Sequence, residues 1–255
     1  MTKNLSEKLN KHKARRSHRE SENGPAINSW SALTEYLRAK PEAIRRIACA
    51  PSEEKKLKAL IERLGLAVEC RTDSSMSEGF SASISVNFLE EEEMFAQALS
   101  RHKDIIVACD HVTDTRNLGA IARSAAYFGC QTLLLPRDRQ APINSSCLGA
   151  AQGAFAWIEP VAVVNLGRAL ERLKECGYWI VAADMDGKPL AEVKTPFDKM
   201  VLILGSEDKG IGANILSKSD VKISIASPSA NLESLNVSVA AGILIHALRQ
   251  RLAGN

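Results

Sequence analysis

Three short segments in the C-terminal two-thirds of the chain combine turn-forming residues with side chains that could act on a substrate. They cover residues 110–125, 201–211 and 233–242. Their candidate catalytic side chains are Asn117, Arg123, Glu207, Ser234 and Asn236. Each segment places a turn between a strand-like apolar run and a helix-like run, and α/β proteins bind ligands at such junctions. Together the three junctions indicate a ligand site more strongly than any one of them does.

Glycines recur in these segments, at positions 119, 205, 210 and 242. Glycine permits tight turns and a close approach of a ligand to the backbone. Backbone N–H and C=O groups in such turns could bind an adenosine-like ligand without a dedicated side chain. Gly205 and Gly210 have the spacing of a phosphate loop, but Ile211 follows where a Walker A motif requires lysine. No G-x-G-x-x-G run opens a helix after a strand either, so the sequence lacks two common nucleotide-binding motifs.

Metal and redox chemistry find little support in the sequence. The five histidines form no H-x-x-x-H pair, and the six cysteines form no CxxC pair or zinc-site spacing. We expect no bound metal, and free thiols in a cytoplasmic protein. The sequence contains no run of about 18 apolar residues, so we expect no membrane span. The N-terminus lacks the apolar region of a secretory signal.

Short apolar strands alternate with helices from Asp104 onward, which predicts an α/β domain with a parallel sheet over residues 104–255. The predicted strands are 105–109, 132–136, 161–164, 179–183, 200–204 and 221–225. The predicted helices are 118–128, 145–154, 166–176 and 238–252. Asn117 would cap the first of these helices.

A smaller βαβ-like block is predicted over residues 25–90. Its predicted helices are 31–37 and 52–64, and its predicted strands are 46–50, 66–70 and 81–88. Residues 91–103 are predicted to be a linker, and the acidic run Glu90–Glu93 is typical of a solvated linker or of a helix start.

Positive charge is concentrated at two places, although the net charge is only +3. Residues 1–24 are predicted to be a disordered basic tail that includes Arg15 and Arg16. Arg137 and Arg139 follow a predicted strand and flank Asp138. Both groups suit contact with phosphates, and the alternative for each is a solvated surface.

The three segments closely resemble the signature motifs of the SpoU/TrmH branch of the SPOUT RNA methyltransferases. The matching runs are Asn117-Leu-Gly-Ala-Ile-Ala-Arg123, Leu204-Gly-Ser-Glu207-x-x-Gly210 and Ser234-Leu-Asn-Val-Ser-Val-Ala-Ala-Gly242. The resemblance covers about residues 104–252. The 25–90 block is similar, less closely, to the small L30e-like RNA-binding domain of the two-domain 23S rRNA guanosine-2′-O-methyltransferases.

The resemblance implies an α/β fold whose C-terminal segment forms a trefoil knot, a feature that is nearly absent elsewhere. It also implies bound S-adenosylmethionine, a homodimer and methyl transfer to a ribose 2′-hydroxyl in RNA. The positions that correspond to cofactor contacts are Leu204, Gly205, Gly210, Ile225 and Leu235. The RNA contacts would include Arg15, Arg16, Arg137 and Arg139. The two-domain layout favours large-subunit rRNA as the substrate, with tRNA as the alternative.

The resemblance also suggests roles for the motif side chains. Arg123 would activate the hydroxyl by orienting the neighbouring phosphate or by acting as a base, and the first role is favoured because arginine stays protonated. Asn117 and Asn236 would position the loop and the ribose. Glu207 would hold an arginine or another donor in place.

The sequence departs from the family pattern at two places. Thr115 stands where the family usually has proline, which removes a fixed φ from the loop before Asn117. Ser77-Glu78-Gly79 stands where relatives often have His-Gln-Gly, so the RNA specificity need not carry over.

A non-catalytic ribosome-assembly protein and a base methyltransferase are the alternative functions. The complete set of motif side chains favours an enzyme, and the Asn117/Arg123 pair favours ribose methylation.

Overall fold

The structure of this chain is a computed structural model that describes residues 24–193, 198–227 and 234–254. It divides into two compact units, with the boundary between Val86 and Asn87. The predicted basic tail, with Arg15 and Arg16, lies outside the described residues.

The first unit, up to Val86, is a four-stranded sheet with two helices. Its strands are β1 (Ala26–Ile27), β2 (Ile44–Cys49), β3 (Cys70–Thr72) and β4 (Phe80–Ile84), and its helices are α1 (Trp30–Ala39) and α2 (Glu54–Arg63). The strand order is β1-β4-β2-β3. β2 and β3 are parallel and are joined through α2, which confirms the predicted βαβ unit. β4 pairs antiparallel to both β1 and β2.

Two strand boundaries predicted for this unit were wrong. The predicted strand 66–70 begins only at Cys70, because β2 pairs with residues 70–72 and not with the apolar residues before them. The predicted strand 81–88 ends at Ile84. An apolar run therefore marks a candidate strand without fixing its ends.

The second unit, from Asn87 onward, is built on a six-stranded parallel sheet, as the sequence predicted. Its strands are β5 (Asp104–Asp110), β6 (Thr132–Pro136), β7 (Glu159–Val163), β8 (Trp179–Pro189), β9 (Lys199–Gly205) and β10 (Val221–Ser224). The strand order is β10-β8-β9-β5-β6-β7, and each neighbouring pair is parallel. All seven residues of the central strand β5 are buried, as expected for a parallel strand that is covered on both faces.

Helices cover both faces of this sheet. They are α3 (Glu91–Ser100), α4 (Thr115–Tyr127), α5 (Ser145–Ala151), α6 (Leu166–Glu175), α7 (Ala213–Leu216) and α8 (Val237–Gly254). Side chains of α3, α6 and α7 share one core with alternate residues of the strands. α4 packs against α5 and α8, and α8 contacts β9. Because successive strand residues face opposite sides, this second helix group covers the other face.

Residues 91–103, predicted as a linker, contain the helix α3 instead. Its acidic first turn, Glu91–Glu93, is favourable at a helix N-terminus, where the backbone dipole is positive. Met94, Phe95 and Ala98 of this helix are buried in the core of the second unit. The acidic run therefore marks a helix start, which was one of its two predicted alternatives.

The start of α4 also differs from the prediction. Asp114, and not Asn117, is the N-cap: its Oδ1 accepts hydrogen bonds from the backbone N–H of Arg116 at 2.7 Å and of Asn117 at 3.3 Å. The bond from Arg116 is the main reason that the pKa of Asp114 is lowered. The helix begins three residues earlier than predicted, so the Asn117 side chain is left free to make another contact.

Candidate active site

The first and second motif segments meet at the carboxyl ends of the two central strands. β5 and β9 are neighbours, and their last residues, Asp110 and Gly205, are paired across the ladder. From β5 the chain passes outward to β6 and β7, and it then returns to the other side of β5. The edge between β5 and β9 is therefore the topological switch point, where open parallel sheets bind ligands.

Residues 205–210 form a tight turn after β9, here called the β9 turn. Ser206 and Gly210 exchange backbone hydrogen bonds of 3.1 and 2.9 Å. A Cβ atom on Gly205 would overlap the backbone of Gly210, so only glycine permits this close return of the chain. Gly210 has φ of +64°, a conformation that also favours glycine. The turn leaves Glu207 exposed at its tip.

One side chain joins all three motif segments. The Nδ2 group of Asn236, in the third segment, donates to Oδ1 of Asn117 at 3.0 Å. The same group donates to Oε1 of Glu207 in the β9 turn. All three side chains remain at least partly open to solvent. The partner of Glu207 is thus the amide of Asn236, and not an arginine.

Asn236 is held in place by the helix that it begins. Its Oδ1 accepts hydrogen bonds from the backbone N–H of Ser238 at 2.9 Å and of Val239 at 3.4 Å, so it acts as the N-cap of α8. The Oγ of Ser238 lies 2.6 Å from the same oxygen. With its oxygen occupied by the cap, the Asn236 amide has only its N–H groups to offer, and these contact the other two segments.

Gly119 brings the first segment close to α5. A Cβ atom at this position would overlap the carbonyl oxygen of Cys147 and would lie 2.8 Å from Cβ of Ala150. The glycine of the Asn117-Leu-Gly run therefore serves helix packing, and it does not form a ligand-binding turn. The packing sets the position of α4 and of Asn117 on its first turn.

Arg123 does not share this cluster within one chain. It lies six residues after Asn117 on α4, which corresponds to about 9 Å along the helix and about 120° around it. Arg123 is exposed and makes no ion pair or side-chain hydrogen bond with any part of the chain that the structure describes. It lies four residues before Tyr127, whose side chain is 83% exposed, so both lie on one outward face.

The other predicted positions lie around the same edge of the sheet. Leu204 is buried at the end of β9, and Ile225 is half-buried directly after β10. Ser234 and Leu235 are exposed next to Asn236. Arg137 and Arg139 are exposed at the carboxyl end of β6, two strands from β9, which corresponds to about 10 Å.

Sequence reasoning missed one residue of this site, Asp110. Its side chain is 2% exposed, and its Oδ2 accepts the backbone N–H of Gly212 at 2.8 Å. Its Oδ1 lies 2.7 Å from Nδ1 of His111. The available signal was a carboxylate placed directly after the apolar run Ile105–Cys109, because an aspartate there is buried unless the strand ends early.

Other chemistries find no site in the described part of the chain. Residues 24–193, 198–227 and 234–254 contain no group of three or more His, Cys, Asp or Glu side chains placed to hold a metal ion. None of their helices is both long and apolar enough to cross a membrane. All six cysteines are free, and burial raises the pKa of Cys109, beside Asp110, to about 12. That thiol is a poor nucleophile at neutral pH.

Comparison with known proteins identifies the family. Residues 104–246 match the SpoU rRNA methylase family, and this match covers more than half of the chain. The chain belongs to the SpoU family of RNA methyltransferases. The matched residues include Asn117, Glu207 and Asn236, so the cluster lies within the matched domain.

Relatives and solved structures agree with the SpoU assignment. An uncharacterized tRNA/rRNA methyltransferase of Mycobacterium bovis is 32% identical over 195 residues, which are 76% of this chain and 60% of that protein. The chain thus spans about three-fifths of the length of this relative. An AdoMet-bound rRNA methyltransferase from Sinorhizobium meliloti has a TM-score of 0.74 and 17% identity, with 93% of this chain and 91% of that chain covered.

A further structural relative is an RNA 2′-O ribose methyltransferase. It has a TM-score of 0.68 and 18% identity, and the alignment covers 94% of this chain and 93% of that chain. At these identities the two structures establish a shared α/β fold with a parallel sheet.

Proposed function

We propose that this chain methylates a ribose 2′-hydroxyl in structured RNA, with S-adenosylmethionine as the methyl donor. The observation that carries the proposal is the double hydrogen bond of Asn236 to Asn117 and Glu207, which joins three SpoU motifs in one partly exposed cluster. Large-subunit rRNA is the favoured substrate, and tRNA is the alternative. The location proposed for such an enzyme is the cytoplasm.

The β9 turn and the residues before α8 fit an adenosine-type cofactor. A Cβ atom on Gly210 would meet nothing within 4 Å, so the outer side of the turn is open. Leu235 is 47% exposed although it is apolar, and it offers a surface for an adenine ring. The proposed cofactor contacts are Leu204, Gly205, Gly210, Ile225 and Leu235.

We also propose that the C-terminal part of the chain forms a trefoil knot. The position of β10, on the far side of β8 from β9, is compatible with a knot.

The side chains of the chain would prepare the hydroxyl for transfer. Bound S-adenosylmethionine supplies an electrophilic methyl group. Asn117 and Asn236 position the ribose, and Glu207 fixes the Asn236 amide through its hydrogen bond. Arg123 binds the neighbouring phosphate, and its positive charge stabilises the negative charge that develops on the reacting oxygen. Most of the acceleration then comes from orientation, since the three runs that match the family motifs, residues 117–123, 204–210 and 234–242, contain no histidine that could act as a base.

A homodimer through α4 and α8 would explain where Arg123 acts. Val239 and Ile243 form a short exposed apolar row with a spacing of four residues along α8. α8 packs against α4, where Gly242 lies near Ser124 and the Nε of Arg249 donates to the Phe128 carbonyl at 2.9 Å. Leu244, the residue after Ile243, is buried within the chain. We place the dimer interface on the α8 row and Tyr127, so that Arg123 reaches the partner's site.

Exposed cations at the sheet edge support an RNA substrate. Arg137 and Arg139 lie two strands from the β9 turn, within the distance between a ribose and a nearby phosphate. The small unit up to Val86 is proposed to be an L30e-like RNA-binding domain, and the basic tail with Arg15 and Arg16 is proposed to add phosphate contacts. A substrate with extensive structure, such as rRNA, would use all of these elements.

Methyl transfer to cellular RNA tests the proposal. The full chain is incubated with labelled S-adenosylmethionine and total RNA from cells that lack this protein, and the RNA is then separated by size. We expect label in large rRNA, retained in an alkali-resistant dinucleotide because a 2′-O-methyl group blocks hydrolysis at that position.

The other outcomes separate the alternatives. Label in the tRNA fraction would keep the chemistry and replace the substrate. Label that alkali releases as mononucleotides would indicate a base methyltransferase. A chain that neither transfers label nor binds S-adenosylmethionine would contradict the enzymatic function.

A further inference from the structure

The buried carboxylate of Asp110 links the two central strands to the β9 turn. Asp110 ends β5, opposite Gly205, where the turn begins. Its hydrogen bond from Gly212 reaches the chain just beyond the end of the turn. The turn is therefore held at both of its ends by the same residue of β5, through the ladder at Gly205 and through the side chain at Gly212.

The surroundings of Asp110 leave this contact little freedom. The side chain is 2% exposed, and its second oxygen lies 2.7 Å from Nδ1 of His111. A Cβ atom on Gly212 would lie only 3.3 Å from Oδ2, so the segment is closely packed against the carboxylate. A buried carboxylate that loses a hydrogen bond is costly, and a buried N–H without an acceptor is costly as well. The Asp110 carboxylate and the Gly212 N–H therefore both favour the conformation in which they are hydrogen-bonded to each other.

We propose that Asp110 is a positioning residue that holds the β9 turn in the conformation that binds the cofactor. This proposal rests on the proposed function of the turn. Asp110 itself touches neither the ribose nor the cofactor in this account. It acts through Gly212 on the backbone of the turn, and through the turn on Glu207, whose carboxylate accepts from Asn236.

Direct measurement of S-adenosylmethionine binding to the full chain tests this role without any RNA. We expect Asp110→Ala to raise the dissociation constant about tenfold, because the Gly212 N–H loses its acceptor and the turn its second anchor. Asp110→Asn keeps the volume, but only one orientation of its amide can accept from Gly212, so we expect an increase of about threefold. In steady state the same variants should raise KM for S-adenosylmethionine and change kcat by less than about threefold.

Asp104 provides a matched control at the opposite end of the same strand. It is also a buried carboxylate, 6% exposed, and it accepts a hydrogen bond from the Tyr178 hydroxyl at 2.7 Å. Asp104→Ala should lower the melting temperature without changing the dissociation constant. Equal melting losses in the Asp104 and Asp110 variants with unchanged binding in both would overturn the positioning role.

Further outcomes are equally decisive. If Asp110→Ala does not fold, an unchanged dissociation constant for Asp110→Asn would also overturn the proposal. A lower kcat with unchanged binding would assign Asp110 to a different step and would contradict it. A wild-type chain that does not bind S-adenosylmethionine would remove the proposed function first, and this result is distinguishable because it precedes every variant.

Discussion

The two edges of the parallel sheet both carry polar side chains that bond to one another, but they differ in how far those side chains are buried. At the amino ends of the strands, polar groups bond to each other and are withdrawn from solvent. At the carboxyl ends, the three motif side chains bond to each other and remain accessible. The two edges therefore differ in the exposure of their polar groups, and the exposed edge is the one to which we assign the chemistry.

The amino edge is a buried network around Asp104. The Tyr178 hydroxyl donates to Asp104, and Arg101 lies 3.7 Å from the same carboxylate and donates to Oγ1 of Thr132 at 2.8 Å. Burial is the main reason that the pKa of Tyr178 is raised, with the Asp104 carboxylate adding to it. A phenol that stays protonated and a carboxylate that accepts from it leave no group free for a substrate.

At the carboxyl edge, the strand ends instead meet short, glycine-dependent turns. Exposure of Asn117, Glu207 and Asn236 means that water competes for their hydrogen bonds, so the cluster contributes little stability. A ligand can therefore replace these hydrogen bonds with little loss of folding free energy. We expect a substitution at one edge to leave the properties of the other edge unchanged.

The largest effect is expected from Arg123→Ala. Loss of the cation should lower kcat by about 10³-fold while binding of S-adenosylmethionine is retained, because the contact proposed for this side chain is with the substrate and not with the cofactor. Arg116→Ala is the control, since Arg116 is an exposed arginine on the same helix whose partner is Asp114 at 3.6 Å. The measurement is single-turnover methyl transfer together with cofactor binding by calorimetry.

The dimer proposal sharpens this test. When Arg123→Ala and Asn236→Ala chains are mixed, half of the dimers carry one intact site if Arg123 acts on the partner, so activity should return to about a quarter of the wild-type value. Mixtures that stay inactive, with exchange of subunits verified, would place Arg123 in the site of its own chain.

Asn236→Ala should come next, with a loss of about 10²-fold in kcat/KM. It removes the donor to both Asn117 and Glu207, and it also removes a helix cap that contributes about 1 kcal/mol. Asn165→Ala separates the two effects, because Asn165 caps α6 through a 3.0 Å bond from Arg168 N and lies outside the site. Equal losses of activity in both variants would mean that the cap alone matters.

At the amino edge, Tyr178→Phe should lower the free energy of unfolding by about 1–3 kcal/mol and leave methyl transfer unchanged. The substitution keeps the ring but removes the donor to the buried Asp104. Denaturant unfolding measures the free energy of unfolding of the variant and of the wild type. A loss of activity in folded Tyr178→Phe protein would show that the two edges do not act independently.

The smallest effect is expected from Thr115→Pro. Thr115 is the first residue of α4, a position where proline is favoured and needs no N–H partner. Restoring the usual family residue should stabilise the protein by about 0.4–1 kcal/mol, mainly by restricting the unfolded chain, with unchanged kcat. A clear gain in kcat would instead mean that Thr115 loosens the first turn of α4, which carries Asn117.

Most of the second unit was predictable because its strands are continuous apolar runs that end at polar or glycine residues. β6, for example, has the predicted bounds Thr132–Pro136. α3 was missed because its charged first turn resembles solvated chain, while the apolar residues that bury it follow later. The end of β3 depended on how far β2 extends, and no local pattern records that length.

The site was predictable as a set of residues, but not as an arrangement. Motif resemblance identified Asn117, Glu207 and Asn236, yet nothing local indicates that one amide joins the other two. The role of Asp110 was hidden because its partner, Gly212, lies 102 residues away and offers only a backbone N–H. The separation of Arg123 from Asn117 follows from helical geometry, and only the proposed dimer would bring Arg123 to a site, that of the partner subunit.

The Asn236–Asn117 bond, which spans 119 residues, also bears on the order of events during synthesis. Chains emerge from the amino end, and contacts between distant segments form after local ones. The helix with Asn117 and the turn with Glu207 are therefore made before the asparagine that joins them. We expect a nascent chain that lacks α8 to be inactive even when its sheet has formed, so that modification of RNA begins only after the last helix has docked.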